Sequence, residues 1–407
     1  MNPLSAFISL DDTQKEALGI QYTPQEIHDQ VDLWTSSVER VFQYRQRLIE
    51  LFESLSGKKK SVIYLAGAGT SEFVGYCLQG IFRQSFPVPV QVVSTGKLVT
   101  HPFEYFAHTN PLMISFARSG DSPESWGAYE IASQFSDSIC HLVITCNKEG
   151  GLARRARHDP NSLVIDLDEK TNDRGLAMTA SFSNMVIAGQ ACSQIYSPDE
   201  YTQKLPQLVV AGRKVLAMAP EVVKKIAESD FQRAIFLGSG SHFGTAIESH
   251  LKLQELTSGQ IMCGYNTFLD VRHGPKAVID KHTLVVAFLA SDPYVRRYEA
   301  ELLKEIRQQE LGKMTILVGE GLDDEISRYG DEMIDIKSDS QAALPDSLTP
   351  PVYVMIGQLL GLFKSLHLGF KPDSPSKTGV IHRVVQGVKV YDPKIFKEKG
   401  IFQEIKG

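Results

Sequence analysis

"VIYLAGAGTSEFVGYCLQGIF" (residues 62–82) has a counterpart later in the chain, "AIFLGSGSHFGTAIESHLKLQEL" (residues 234–256). Each stretch has the pattern of a buried strand, a G-x-G turn with a hydroxyl residue, and a helix. Two copies of one pattern predict an internal repeat and therefore two similar domains. The first turn has Glu72 where a dinucleotide fingerprint needs its third glycine, and the chain has no P-loop signature. We therefore expect no cofactor.

Strands and helices alternate through both halves of the chain. Further buried strands are predicted at 90–94, 111–116, 140–146, 284–290 and 314–319. This alternation predicts an α/β fold in which each domain has a parallel sheet flanked by helices, similar to flavodoxin or Rossmann folds.

The ends of the chain differ from these two domains. Residues 1–56 predict a helical segment, with one long helix from Thr23 to about Leu55 and a capping box formed by Thr23 and Glu26. We place the first domain at 57–213 and the second at 214–370, joined by a helical stretch near 199–228. The tail is 371–407, and its stretch 371–392 is irregular and rich in Ser, Pro and Gly.

Composition excludes several classes of function. The net charge of −6 over 407 residues and the pI near 6.0 argue against a broad nucleic-acid face. The chain has no apolar run long enough for a membrane span and no signal-peptide pattern. The five cysteines form no C-x-x-C pair, and no metal-ligand spacing occurs. We therefore expect a cytoplasmic protein with reduced thiols and no bound metal.

The loop "ARSGDSPES" (117–125) follows a predicted strand and precedes a helix. Backbone N–H groups at a helix start, serine hydroxyls and a close-approach glycine suit a phosphate. The alternative is an ordinary turn in which Ser122 caps the helix. Both interpretations stay open on the residues alone. The corresponding place in the second half, "LASDPYV" (289–295), lacks the S-G-x-S pattern.

Three other residues are candidates for the chemistry. Lys252 and Glu255 are three positions apart and share a helix face, which is equally typical of an exposed ion pair. His273 precedes Gly274 and Pro275, whose rigid loop could fix the ring, although loop histidines are often only structural or solvated.

Together these motifs resemble the SIS (sugar isomerase) family. The resemblance covers residues 60–392 and implies two tandem SIS domains similar to the isomerase half of glucosamine-6-phosphate synthase. "TNDRGLAMTASFSNM" (171–185) and "RVVQGV" (383–388) are closer to the galactosamine-6-phosphate deaminase/isomerase branch, also called tagatose-6-phosphate ketose/aldose isomerase.

The resemblance implies roles for individual residues. Glu255 would transfer the proton and His273, reaching over from a neighbouring subunit of a homodimer or larger oligomer, would open the sugar ring. Lys252 would be a polar contact, and His382 or Arg383 could contribute from the tail. The phosphate would be held by Thr70, Ser71, Arg118, Ser119, Gly120 and Ser122. Arg118 stands where the synthase has glutamine.

The expected activity is that of an enzyme that converts galactosamine 6-phosphate to tagatose 6-phosphate and ammonia. Three alternatives remain. They are an aldose–ketose isomerase of a phosphorylated sugar, a fructosamine-phosphate deglycase, and a non-catalytic sugar-phosphate sensor.

Overall fold

The computed structural model describes residues 1–106, 109–136, 138–337, 343–376, 379–385 and 387–398. The chain forms two five-stranded parallel sheets, with orders β2-β1-β3-β4-β5 and β7-β6-β8-β9-β10. The first sheet contains β1 (Ser61–Gly67), β2 (Val90–Ser94), β3 (Asn110–Ala117), β4 (Cys140–Thr145) and β5 (Ser162–Asp166). The second contains β6 (Arg233–Gly238), β7 (Met262–Asn266), β8 (Thr283–Phe288), β9 (Met314–Gly319) and β10 (Glu332–Asp335). The predicted α/β fold with two similar sheets is confirmed.

The helices of the first half are α1 (Pro3–Ile8), α2 (Asp12–Leu18), α3 (Thr23–Asp29), α4 (Trp34–Gln43), α5 (Arg45–Glu53), α6 (Thr70–Ser85), α7 (Thr95–Thr100), α8 (Pro102–Phe106), α9 (Pro123–Phe135), α10 (Gly151–Arg157) and α11 (Ala180–Ser193). Those that follow are α12 (Pro198–Ala227), α13 (Ser241–Leu256), α14 (Pro293–Gln308), α15 (Asp324–Ser327), α16 (Pro350–His367) and α17 (Pro393–Glu398). Short 3₁₀ turns lie at Gln30–Leu33, Glu169–Thr171, Asp270–His273 and Pro275–Val278.

A layer of helices joins the two halves. Helices α6 and α11 from the first half pack against α13 and α16 from the second. Every residue of α11 is buried, as are all but the last two of α16. A helix that is apolar all round belongs in a core, so these helices form the centre of one continuous interior.

The long helix predicted from Thr23 to Leu55 is wrong: this stretch is divided into α3, a 3₁₀ turn, α4 and α5. One local and one long-range side-chain hydrogen bond use carbonyls at the break between α3 and α4. The Gln30 amide donates to the Ile27 carbonyl at 2.8 Å, and the Asn184 amide donates to the Gln30 carbonyl at 3.2 Å. The sequence has helical periodicity, but side-chain hydrogen bonds interrupt the series of backbone hydrogen bonds that a continuous helix would have.

The predicted capping box of Thr23 and Glu26 is also wrong. Thr23 is the first helical residue, and its hydroxyl donates to Asp373 Oδ1 at 2.6 Å. Glu26 accepts instead from the backbone N–H groups of Arg174 and Gly175, at 2.5 and 3.3 Å. Both side chains bind distant segments, and local spacing carries no information about such partners.

The helical joint predicted near 199–228 is α12, and the boundary drawn at 213/214 falls within it. Among the helices of the described residues, none is both long and apolar enough to cross a bilayer.

Candidate active site

The crevice of the first sheet opens at the carboxyl ends of β1 and β3. From β1 the chain crosses through α6 to β2 on one side, whereas β3 leads to β4 on the other. Ligands of open parallel sheets bind at such a switch point. The turns that follow these two strands carry Thr70 with Ser71 and the serine loop 118–122. The residues predicted to bind phosphate therefore lie in two turns at the carboxyl ends of neighbouring strands of the first sheet.

The turn into α6 leaves the helix start open to a ligand. Gly69 precedes the helix with φ of 54° and no described side chain caps it. Thr70 and Ser71, in the first turn, are 5% and 6% exposed. The N–H groups of Ser71 and Glu72 donate to the carbonyls of Ala68 and Gly69 at 3.1 and 2.8 Å, so the positive end of the helix and the two hydroxyls are what this turn offers an anion.

The serine loop has the same character. Gly120 has φ of 67°, a left-handed conformation that favours glycine. Ser122 occupies the N-cap position of α9, but its side chain makes no capping bond and instead lies 2.5 Å from Ser125 Oγ. The interpretation of Ser122 as a plain helix cap is therefore not supported by its bonding, and the first N–H groups of α9 stay free of this side chain.

The second half supplies the charged groups. Lys252 Nζ lies 2.8 Å from Glu255 Oε2 and 3.2 Å from Glu248 Oε1, all on α13. It also donates to Thr70 Oγ1 at 3.3 Å, which joins it to the first crevice. Lys252 is 1% exposed and the Glu255 side chain is 20% exposed, so the pair is not an exposed surface ion pair.

A glycine contact permits this arrangement. The start of α6 lies near the end of α13, and Gly244 of α13 approaches Cys77 of α6 so closely that an added Cβ would lie 2.5 Å from Cys77 N. Any side chain at position 244 would push the helices apart. The backbone approach at Gly244 therefore sets the spacing between α6, which carries Thr70, and α13, which carries Lys252.

Charge and burial shift the pKa values of this cluster. Burial raises the pKa of Glu248 to about 7, although Lys252 opposes the shift. Burial acts to lower the pKa of Lys252, but the carboxylates of Glu248 and Glu255 outweigh it and the pKa is raised. Lys252 is thus a stable cation, whereas Glu248 can change charge near neutral pH.

Arg118 begins the serine loop, and its described bonds run to carbonyl oxygens. Nη1 donates to the Leu176 carbonyl at 2.8 Å and Nη2 to the Arg383 carbonyl at 2.5 Å. Burial lowers the pKa of Arg118, while the charges of Asp173 and Glu255 oppose that shift. The role of Arg118 as a phosphate ligand stays a prediction.

The two candidate histidines lie apart from this cluster. His273 ends an exposed 3₁₀ turn after β7, and His382 is exposed in the tail. No hydrogen bond or ion pair within the described residues connects either ring to Glu255. Arg383, by contrast, donates to the Asp173 carbonyl at 2.8 Å and to Asn172 Oδ1 at 2.7 Å.

Sequence reasoning missed Glu248, which is fully buried beside Lys252. A signal was available, since Glu248 precedes Lys252 by four residues and a carboxylate and an amine at that spacing share a helix face. The same spacing is common on solvated surfaces, so it does not reveal burial.

No family model matches the chain. D-galactosamine-6-phosphate deaminase AgaS from Escherichia coli is 34% identical over 384 residues, which are 91% of this chain and 95% of that protein. The structure of tagatose-6-phosphate ketose/aldose isomerase from Escherichia coli superposes with a TM-score of 0.83 at 32% identity, over 92% of this chain and 98% of that one. The C-terminal domain of glucosamine-fructose-6-phosphate aminotransferase from Francisella tularensis shares the fold. It has a TM-score of 0.73 at 20% identity and covers 86% of this chain and 96% of that one.

Proposed function

The chain belongs to the family of AgaS-type D-galactosamine-6-phosphate deaminases, and we propose that it converts galactosamine 6-phosphate and water to tagatose 6-phosphate and ammonia. The observation that carries the proposal is the buried Lys252–Glu255 pair at 2.8 Å, beside the crevice whose turns provide hydroxyls and two helix starts that no described side chain caps. A polar pair held in a phosphate-binding crevice suits proton transfer within a phosphorylated sugar.

The proposed chemistry begins with the open-chain amino sugar. The phosphate lies on Thr70, Ser71, Ser119, Gly120 and Ser122, and His273 of a neighbouring subunit assists ring opening. Glu255 removes the C2 proton, the C–H electron pair forms a C1–C2 double bond, and the C1=O π pair moves to O1, which takes a proton from water, so that an enolamine results. The nitrogen lone pair then forms a C2=N bond as the C1–C2 double bond takes a proton at C1 from the same carboxyl group. The resulting imine at C2, after the nitrogen releases a proton to water, is hydrolysed to the ketone and ammonia.

Lys252 and Glu248 complete the proposed site. Lys252 is a cation close to Glu255 and can hold its carboxylate in one orientation as the proton moves between adjacent carbons. Glu248 contacts Lys252 from the buried side and acts as a positioning residue. Two turns from the first half and one helix from the second are thus needed for a single site.

We also infer a cytoplasmic enzyme without a cofactor. Phosphorylated sugars are intracellular metabolites in general, and the five cysteines are all unpaired. The proton transfers need no electron carrier.

The test is a substrate panel for the purified protein. Galactosamine 6-phosphate, glucosamine 6-phosphate and tagatose 6-phosphate are compared, and ammonia and ketose are both measured. We expect ammonia and ketose in equal amounts from galactosamine 6-phosphate, and in D₂O we expect deuterium at C1 only in those turnovers in which the Glu255 carboxyl exchanges its proton with solvent before returning it. Interconversion of tagatose 6-phosphate with its aldose, without ammonia from either amino sugar, would establish the isomerase alternative instead.

A further inference from the structure

Two arginines hold the tail against the first domain. Arg118 reaches the carbonyl of Arg383 at 2.5 Å, and the Arg383 side chain reaches the loop at Asn172 and Asp173 at 2.6–2.8 Å. Arg118 also donates to the carbonyl of Leu176 on the same loop. Hydrogen bonds thus join the loop 172–176, the serine loop and the tail to one another. We term this group of bonds the arginine clasp (Arg118, Arg383 and the loop 172–176).

The partners of the clasp are neutral. They are backbone carbonyls and one amide oxygen, and within the described residues no carboxylate forms an ion pair with either guanidinium. The nearby Asp173 carboxylate is engaged elsewhere, since it accepts from the N–H groups of Thr179, Ala180 and Ser181 at the start of α11. A guanidinium has five N–H donors in a planar fork, which suits it to join several carbonyls at once.

We infer that Arg118 is a positioning residue that fixes the tail segment 379–385 beside the crevice by its bond to the Arg383 carbonyl, and that phosphate binding is left to the serine loop. The inference rests on the proposed function in one respect, namely that the crevice is where the sugar phosphate binds. Arg118 is 7% exposed, and at least two of its donors are committed to carbonyls, so its geometry is set by the tail and loop.

A double-mutant cycle separates positioning from ligation. Arg118→Gln and Arg383→Ala each remove one part of the clasp, so we expect each to lower kcat about tenfold or more. The kcat of the double variant is expected to be no lower than that of the poorer single variant, because both changes release the same tail. Independent effects that add in free energy would overturn the inference.

Inorganic phosphate is the probe for ligation. Its dissociation constant, measured by calorimetry, is expected to change by less than about twofold in Arg118→Gln. A phosphate affinity reduced tenfold or more, with an unchanged tail, would show that Arg118 is a ligand and would refute the positioning role.

Hydrogen exchange reports on the tail directly. Amides of residues 379–385 are expected to exchange faster in Arg118→Gln and Arg383→Ala than in the unaltered chain, with an intermediate rate in Arg118→Lys, which keeps the charge but loses the fork. The control is Arg47→Gln, an exposed arginine on α5. Unchanged tail exchange in Arg118→Gln would overturn the inference. Exchange and phosphate binding need no turnover, so they remain informative even if the proposed deaminase activity is absent.

Discussion

Lys252 Nζ lies 3.2 Å from Glu248 Oε1 in a pocket where neither side chain is more than 1% exposed. The buried Lys252 cation thus has two carboxylate partners. Glu248 is fully buried, whereas Glu255 is partly exposed and faces the crevice. Because Lys252 is shared, a change of charge on Glu248 alters the field that Glu255 experiences.

Glu248→Gln keeps the shape of the side chain but removes its charge. Since Lys252 retains Glu255 as a partner, we expect kcat to fall by less than about tenfold. The pKa of Glu248 near 7 predicts an inflection at that pH in the kcat profile of the unaltered enzyme, and the variant should lack it. An inflection that persists unchanged would assign the titration to another group.

Glu255→Gln removes the proposed base. We expect kcat to fall by about 10²–10⁴-fold while KM stays close to normal, because positioned acid–base groups contribute in that range. Exchange of the C2 proton with solvent should be lost as well. Glu301→Gln, an exposed change on α14, is the matched control. Near-normal turnover in Glu255→Gln would refute the assignment.

Ser119→Ala tests the serine loop. A hydrogen bond to a charged group contributes about 1.5–3 kcal/mol, which corresponds to a rise in KM of roughly tenfold or more. The chemical step is remote from the phosphate, so kcat should change little. The exposed Ser56 offers a control in Ser56→Ala. If KM is the same for both variants, the loop does not hold the phosphate.

Glu26→Gln tests the pH dependence of stability. Burial raises the pKa of Glu26 to about 8, and the Asp173 charge adds to the shift. Its stabilising contribution is therefore fully present below about pH 4.5 and is lost as the pH rises through 8. The variant should become more stable relative to the unaltered chain across this window, as measured by urea unfolding at several pH values. If the difference in free energy of unfolding between the two proteins is the same at every pH, the raised pKa of Glu26 is contradicted.

His273→Asn and Glu255→Gln together test whether sites are shared between subunits. His273 is exposed in the single chain and has no described bond to Glu255, and the proposed function assigns it to the site of a neighbouring copy. Randomly mixed dimers of the two inactive variants would be about half hybrids with one intact site, which restores about a quarter of normal activity. Mixtures that remain as inactive as the parents would place both residues in one chain's own site.

The central strands and the repeat could be predicted from the sequence because buried parallel strands are continuous apolar runs. Three of the four edge strands, β5, β7 and β10, were missed, whereas the equally short and partly buried β2 was predicted from its valine-rich sequence. The position of the serine loop could also be predicted, because the loop directly follows a predicted strand. The clasp could not be predicted, because its bonds join Arg118 to backbone carbonyls far along the chain, and carbonyls have no sequence signature.

The repeat also explains why the two crevices differ. When Gly69 is matched with Gly240, the positions of α6 that correspond to the charged residues of α13 can be read from the sequence. They hold Cys77, Ile81 and Gln84 where α13 has Glu248, Lys252 and Glu255. These three positions of α6 therefore carry neither a carboxylate nor an amine, so α6 lacks the charged cluster of α13.

The close approach of α6 and α13 at Gly244 has a consequence for how such a chain can evolve. In the proposed function, one copy of the repeat would hold the inert end of the sugar and the other would act on the reacting end. Mutations in the first copy would then change how tightly the phosphate is held, whereas mutations in the second would change the reaction itself.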